Sequence, residues 1–374
     1  MKYYIIAGEM SGDLHASFLM KELKIKDKDA EFRFWGGDKM IEQANNQKPV
    51  KHIKELAFMG VVEVVANLRT VLRNLSLCKK DIVSWNPDAV ILVDYPGFNL
   101  WIAKFVRKLG IKVYYYISPQ VWAWKKGRIK TMKKVLDKLF VILPFEKPFY
   151  DKHSMEVEYP GNPLLDEISH YSATQNKEEF LKEHNLGAKP IIALLPGSRT
   201  QEIKKMLPLQ LSLVEKFPEF DFVVAGVSTH SPEFYNQYME ESNAKLIYNN
   251  TYSILNSSHA AIVTSGTATL ETALFNVPEV VCYKANPLSF ILGKYLVKIR
   301  FISLVNLILD SPVVVELLQD LCNRDDLEKE FRKITFDENN RVEMRYMFGK
   351  LRNILGNAGA SANIAKYIVE DLRK

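Results

Sequence analysis

The run Ile191-Ile192-Ala193-Leu194-Leu195 is apolar at every position and stops at Pro196-Gly197. A strand with one wet face alternates apolar and polar residues. A strand that is apolar throughout is buried on both faces, which places it inside a parallel sheet covered by helices. Pro-Gly then forces a turn. Ser198 and Thr200 offer helix caps, and Glu202 with Lys204 and Lys205 opens a helical stretch. A strand, a glycine turn and a helix start make an anion site, because free backbone N–H groups and the positive end of the helix dipole point over the turn. Arg199 adds a guanidinium fork matched to phosphate. Gly197, Ser198 and Arg199 are therefore candidate anion-binding residues. Alone, the stretch also fits an ordinary turn with a surface arginine.

The N-terminus repeats the device. Tyr3-Tyr4-Ile5-Ile6-Ala7 reads as a strand and Gly8-Glu9-Met10-Ser11-Gly12-Asp13 as a glycine-rich turn, and Leu14, Phe18, Leu19 and Leu23 give the following helix its apolar face. Two such openings, far apart, predict two similar α/β domains facing a central cleft. The 374 residues suffice for both, and 47% hydrophobic content supports two cores.

Further strand ends extend the pattern. Pro87 to Val93 runs into Asp94, and Lys112 to Ile117 runs into Ser118-Pro119-Gln120-Val121-Trp122-Ala123-Trp124. In an open parallel sheet, ligands sit beyond the carboxyl ends of the strands, which places Asp94 and Ser118 at the mouth. A third strand–glycine–helix junction follows Ala260 to Thr264, at Ser265-Gly266-Thr267-Ala268-Thr269-Leu270-Glu271. Its hydroxyls and helix start suit a pyrophosphate. Residues 56–77 carry Val64, Leu68, Val71 and Leu75 at helical spacing, with Phe58 and Met59 as candidates for apolar exposure.

Several classes drop out. No GxGxxG opens either domain, no Walker lysine follows a glycine loop, and zinc spacings and a GxSxG elbow are absent. Cys78, Cys282 and Cys322 show no pairing or metal spacing, which fits a reducing cytosol. No signal peptide is expected, since Glu9 and Asp13 interrupt the early apolar run, and no stretch suits a bilayer span. Net charge is +6, compatible with nucleic acid, anionic lipid or phosphorylated substrates and decisive for none. Residues 125–139 read as a basic amphipathic helix, and 286–309 as apolar with only cationic charges. The first suits a solvated surface or an anionic membrane, and the second a buried helix plus strand or an interfacial contact. What remains is the arrangement expected of a metal-free sugar-nucleotide transferase. One domain neutralises a diphosphate leaving group and the other brings an acceptor hydroxyl and a base.

The motifs then resemble a family. Ala7 to Asp13, Phe58 to Val64, Ser118 to Trp124, Leu143 to Lys147, Leu194 to Arg199, Ser265 to Glu271 and Ser303 to Leu307 match lipid-A-disaccharide synthase in order and spacing. The resemblance implies an inverting GT-B glycosyltransferase with domains at 1–168 (acceptor side) and 169–350 (UDP-sugar side). A terminal helical segment at 351–374 is expected to pack back on the first domain. It implies transfer of 2,3-diacylglucosamine from UDP to 2,3-diacylglucosamine 1-phosphate, giving a β-1,6 disaccharide in lipopolysaccharide synthesis at the inner membrane of a Gram-negative bacterium. No cofactor, metal or nucleic-acid partner is implied.

By the same resemblance Asp94 is the base, with Glu9 and Asp13 as further catalytic candidates. Gly197, Ser198, Arg199, Ser265, Gly266, Thr267, Glu271 and Asn306 hold the UDP-sugar, and Ser11, Gly12, Ser118, Gln120 and Trp122 line the acceptor side. Two positions depart from the family pattern. Gly97 stands where a second aspartate is common, and Asn162 where histidine is common, which throws the base role onto Asp94. Two other readings are a UDP-N-acetylglucosamine 2-epimerase or lipid II transferase of the same fold, and a non-catalytic UDP-sugar-binding membrane protein. The second of these would not need Asp94.

Overall fold

A computed structural model describes residues 1–56, 68–123, 126–174, 176–284 and 300–374. It divides into two units, Met1–Glu167 with Asn357–Lys374, and Ile168–Gly356. Phe58, Met59, the motif over 58–64, Trp124, Lys125 and most of 286–309 fall outside the described residues.

The first unit holds six strands, β1 (Lys2–Ala7), β2 (Glu31–Gly36), β3 (Lys51–His52), β4 (Ala89–Val93), β5 (Lys112–Tyr116) and β6 (Lys138–Phe140). They pair in parallel in the order β3-β2-β1-β4-β5-β6. The second unit holds β7 (Ile191–Leu195), β8 (Asp221–Gly226), β9 (Lys245–Tyr248), β10 (Ser258–Thr264), β11 (Glu279–Tyr283) and β12 (Val315–Leu318). Its order, β12-β11-β10-β7-β8-β9, is the same topology read from the other edge. Each sheet reverses its winding once, between β1 and β4 and between β7 and β10. Crossovers leave to opposite faces there, so a crevice opens beyond the strand ends.

Burial follows the two-residue period of a strand. Tyr4, Ile6, Val90, Leu92 and Tyr115 pack on one face of the first sheet, with Ile82, Ile102 and Met132 from covering helices. Tyr3, Ile5, Ile91, Val93, Tyr114 and Tyr116 pack on the other, with Leu19 and Leu23 and with Ile364, Ile368 and Val369. Those last three belong to the helix Ala360–Leu372, which completes the core of the first unit. Asp166 fixes its start by accepting the N–H groups of Gly359, Ala360 (3.2 Å) and Ser361 (2.9 Å), and Tyr114 donates to Asp371 near its end at 2.7 Å.

Two sequence expectations shift. In the helix Met10–Lys26 the buried face is Gly12, His15, Ala16, Leu19, Met20 and Leu23, while Leu14 and Phe18 are half-buried. The basic helix is shorter than expected, Arg128–Val135. Lys138 and Leu139 lie in β6, where the Lys138 ammonium is buried and paired with Glu156 at 2.5 Å. Chain exit from the helix at Leu136 lets Asp137 accept the Val113 N–H at 2.8 Å, and that bond starts the strand.

Ile368 is fully buried between the terminal helix and the sheet. Ile368→Ala should therefore cost about 2–5 kcal/mol by leaving a cavity. A shift of the urea midpoint of that size checks it. An unchanged midpoint would mean that the helix is not part of the folded core.

Candidate active site

At the first switch point the chain leaves β4 through two consecutive left-handed residues, Asp94 (φ 46°) and Tyr95 (φ 50°). Non-glycine residues in this region cost of order 1–3 kcal/mol each. Three hydrogen bonds hold Asp94 there. Its N–H donates to the Tyr116 carbonyl at 3.0 Å, and its carbonyl accepts from Asn99 Nδ2 at 2.7 Å and the Tyr115 hydroxyl at 2.6 Å. Gly8 lies against the Tyr95 ring, where a Cβ would come within 2.4 Å. Only glycine lets the β1 turn pass under that ring.

This backbone leaves the Asp94 carboxyl half-buried at the strand end. Burial, then the nearby Glu9 carboxylate, push its pKa up to about 6, against the Tyr95 N–H and His15, which pull it down. A carboxylate tuned toward neutrality at the head of a crevice suits proton abstraction. Glu9 precedes the helix Met10–Lys26 and makes no side-chain cap bond, and Ser11 in the first turn is exposed. Gly12 packs beneath them, close to Ala7 and the Val93 carbonyl.

Asp13 does not join this group. It is buried, and it accepts the N–H groups of Gly37 (2.6 Å), Lys39 (3.1 Å) and Met40 (3.2 Å). It thereby caps the helix Asp38–Gln43, whose own cap residue is Gly37. The carboxylate is occupied by backbone donors, which gives this catalytic candidate the geometry of a cap. Gly97 is exposed in the first turn of the helix Pro96–Lys108. Asn162 is a buried cap that accepts the Leu164 N–H at 3.0 Å and donates to the Ile142 carbonyl at 2.9 Å.

The residues after β5 form a second cluster. Ile117 sits at φ +67°, rare for a β-branched residue. The Ser118 hydroxyl is buried within 2.5 Å of the Tyr150 hydroxyl, while Gln120 is exposed and Trp122 half-buried, edge-on to Phe145 at 5.0 Å. Beneath them lies Glu146, 1% exposed, which accepts the Ile142 and Leu143 N–H groups at 3.1 and 2.9 Å. Burial pushes its pKa up to about 7, while those donors and the Ser118 and Trp122 side chains pull it down. Sequence reasoning quoted Glu146 within a motif without giving it a role, and it is the clasp of this loop.

In the second unit the glycine turn after β7 has the expected form. Gly197 takes φ +101°, and the helix Thr200–Leu211 starts at Arg199. Its cap is neither Ser198 nor Thr200. Glu202 reaches back to accept the Ser198 and Arg199 N–H groups, both at 3.2 Å. The Arg199 guanidinium is 68% exposed, with Nη1 3.5 Å from Glu202. Across the switch point, Gly266 caps the helix Thr267–Leu274 with extended backbone, and Gly266 and Thr267 are exposed. Ser265 is half-buried and donates to the Ile302 carbonyl at 3.3 Å, and Glu271 lies half-buried one turn on.

Asn306, like Asp13, is buried with its polar atoms occupied. It is 1% exposed and its amide is saturated within its own loop. Nδ2 donates to the Val314 carbonyl (2.8 Å) and Glu316 (2.9 Å), and Oδ1 accepts from Val313 (2.8 Å) and Val314 (2.9 Å). Glu316 also binds the Ile302 and Ser303 N–H groups at 2.9 Å. Asn306 therefore braces, through Glu316, the loop whose Ile302 carbonyl accepts from Ser265. Among the described residues no cluster of three or more acidic, histidine or cysteine side chains could hold a metal ion.

Residues 3–364 match the family described as lipid-A-disaccharide synthetase. A lipid-A-disaccharide synthase of Coxiella burnetii (strain CbuG_Q212) is 36% identical, covering 97% of this chain and 96% of the relative. One from Geobacter sulfurreducens is 34% identical, covering 99% and 97%. A solved UDP-GlcNAc 2-epimerase from Neisseria meningitidis, bound to UDP-GlcNAc, superposes with a TM-score of 0.71 at 14% identity, covering 99% of this chain and 100% of that one. A Staphylococcus aureus MnaA–UDP structure gives 0.69 at 14% identity, covering 100% and 97%. These likenesses show the fold, α/β of the GT-B type.

With its three backbone partners, Asp13 is a cap. Asp13→Ala should cost about 1–3 kcal/mol of stability and leave UDP affinity unchanged. Urea unfolding and calorimetric titration with UDP check it. Normal stability with lost turnover would return Asp13 to the chemistry.

Proposed function

Because the chain belongs to the lipid-A-disaccharide synthase family, a family of glycosyltransferases, we propose that it joins two acylated sugars. The donor is UDP-2,3-diacylglucosamine and the acceptor 2,3-diacylglucosamine 1-phosphate. Lipid A disaccharide synthesis is the activity of the family, and the choice of acylated substrates is the finer reading.

The observation that carries it is the Asp94 carboxyl, held rigidly at the first switch point with its pKa raised to about 6. It is mostly ionised at neutral pH and basic enough to take a proton from the acceptor 6-hydroxyl in the transition state. That oxygen bonds to the donor anomeric carbon from the face opposite the leaving group. The carbon–oxygen bond to UDP breaks, and its electron pair leaves on the diphosphate. Arg199 and the helix start at Ser265, Gly266 and Thr267 supply positive charge for that diphosphate. Solved structures of the same fold hold UDP-GlcNAc or UDP, which supports a nucleotide-sugar reading of the second unit. Turnover on this reading needs no metal. Activity lost to chelator and restored by magnesium would count against that.

Peripheral attachment to the inner membrane belongs to the same proposal. No helix among the described residues is long and apolar enough to cross a membrane. The exposed lysines of the shortened basic helix, Lys130, Lys133 and Lys134, support an electrostatic contact. Binding to anionic vesicles should then fall steeply with salt, and vesicles ignored at low salt would remove this part of the reading.

Asp94→Asn keeps the shape and removes the base. Turnover should fall by roughly 10²–10⁴-fold with UDP affinity nearly unchanged, whereas Arg199→Ala should weaken both. Wild-type kcat/KM should rise with pH through about 6 and level above it, because only the ionised carboxylate accepts the proton. The stability sign runs the other way. A carboxyl whose pKa is raised on folding favours the native state only while protonated, so its ionisation destabilises the fold as pH climbs from the unfolded value through about 6. Asp94→Asn should consequently melt no lower than wild type at neutral pH. A variant that melts lower and keeps its turnover would make Asp94 a loop anchor instead.

A further inference from the structure

His230 stands on the ligand side of the second sheet and has no part in the site as described. It lies in the turn between β8 and the helix Pro232–Met239, beyond the carboxyl end of a strand that pairs with β7. Its seat is fixed from its own side. The His230 N–H donates to the Val227 carbonyl at 3.1 Å, and the Val227 N–H donates to the hydroxyl of the buried Tyr235 at 3.1 Å. The imidazole lies against the Phe234 ring, centroids 4.6 Å apart. From that seat both ring nitrogens reach threonine hydroxyls. Nδ1 is 3.0 Å from Thr229 Oγ1 in the same turn, and Nε2 is 2.9 Å from Thr200 Oγ1. Thr200 is the first residue of the helix Thr200–Leu211, and Arg199 is its cap residue. Burial holds the His230 pKa below its usual value, so the ring is neutral at neutral pH, with one nitrogen donating and the other accepting. Either tautomer ties the Thr200 hydroxyl to the ring.

We propose that His230 is a positioning residue for the sugar-nucleotide donor, bracing through Thr200 the helix start that receives the diphosphate. The inference rests on the reading of the second unit as the UDP-sugar site. A helix start stabilises charge on a leaving diphosphate only if its N–H groups are aimed before the reaction, because reorienting them during it would cancel the gain. The first turn here has little of its own to hold it. Ser198, Arg199, Thr200 and Gln201 are all exposed, so core packing does not fix their positions, and terminal helical turns fray. Glu202 ties down one side of the turn from within the helix, through the Ser198 and Arg199 N–H groups. His230 ties down Thr200 from the neighbouring strand's loop. A planar ring, already seated on Phe234, loses little freedom in making that contact. Its neutrality leaves the positive charge of the site to Arg199 and the helix dipole.

The test measures UDP affinity by calorimetry, with donor KM, acceptor KM and melting temperature beside it. The proteins are the wild type, His230→Asn, His230→Gln, Thr200→Val, the double variant His230→Asn/Thr200→Val, and Arg199→Ala. An asparagine amide ends where Nδ1 lies and falls short of Thr200, whereas a glutamine amide ends near the position of Nε2. His230→Asn should therefore weaken UDP binding and raise donor KM by roughly 3- to 10-fold, the scale of one hydrogen bond, with acceptor KM unmoved. His230→Gln should stay within about two-fold of wild type, because its amide can still hold the Thr200 hydroxyl. Thr200→Val should match the loss in His230→Asn, and the double variant should be no worse than either, since the two side chains make one contact. A packing role alone would lower the melting temperature and leave UDP affinity as it was, which overturns the inference. Losses that add in the double variant overturn it too, as does an acceptor KM that rises with the donor KM. If Arg199→Ala weakens UDP binding while His230→Asn and Thr200→Val do not, the inference is wrong and the donor-site reading stands. If Arg199→Ala also leaves UDP binding untouched, the donor-site reading fails and takes the inference with it. Should His230→Asn fold poorly, His230→Phe, which keeps a ring against Phe234 and removes both nitrogens, takes its place in every comparison.

Discussion

The turn at Asp94 and Tyr95 is the constraint on which the first unit's chemistry depends. Two adjacent side-chain-bearing residues occupy left-handed backbone, a conformation that survives only where its surroundings over-determine it. The surroundings here are the sheet itself. The parallel register pairs Leu92 with Tyr115 and Val93 with Tyr116, so Tyr115 brings its hydroxyl and Tyr116 its carbonyl to the residue after β4. A slip of one residue would turn Tyr115 to the other face and leave the Asp94 carbonyl without that donor. Gly8 is the matching condition from β1. Asp94 is positioned by strand pairing, with little left to loop motion.

The second unit uses the same topology for a different task. Its switch point carries no carboxylate at the end of β10. Instead it presents Ser265, Gly266 and Thr267 at a helix start, with Arg199 across from them after β7. Repetition of one architecture with different residues at the crevice is what the proposed transfer reaction uses, a proton acceptor in one unit and anion-stabilising groups in the other. Asp13 spends its hydrogen-bonding capacity on backbone N–H groups, and Asn306 spends its own on backbone and on the Glu316 carboxylate.

The sheet and its switch points were legible because a strand buried on both faces must be apolar, and because glycine and hydroxyl residues mark the turns that follow. Asp94 was legible for the same reason, as the first polar residue after such a run. The capping geometry of Asp13 was not legible, because a carboxylate in a glycine-rich turn looks alike whether it faces a ligand or three N–H groups contributed from beyond Gly36. The basic stretch from Lys125 was read as one helix because strand β6 is short and begins with a lysine whose partner, Glu156, lies well ahead in the chain. The His230–Thr200 contact was invisible for a related reason. His230 sits in a polar turn between Thr229 and Ser231, and nothing local says that its ring reaches the start of an earlier helix. Periodicity reports burial, and pairing across long separations has to come from the fold.

The most direct measurement supplies the pure protein with UDP-2,3-diacylglucosamine and 2,3-diacylglucosamine 1-phosphate and follows the products by mass spectrometry and by the coupling of the anomeric proton. The account predicts UDP and a β-linked disaccharide 1-phosphate in equal amounts, with UDP-N-acetylglucosamine supplied alone left unchanged. No disaccharide from the acylated pair, together with conversion of UDP-N-acetylglucosamine to its 2-epimer, would contradict it.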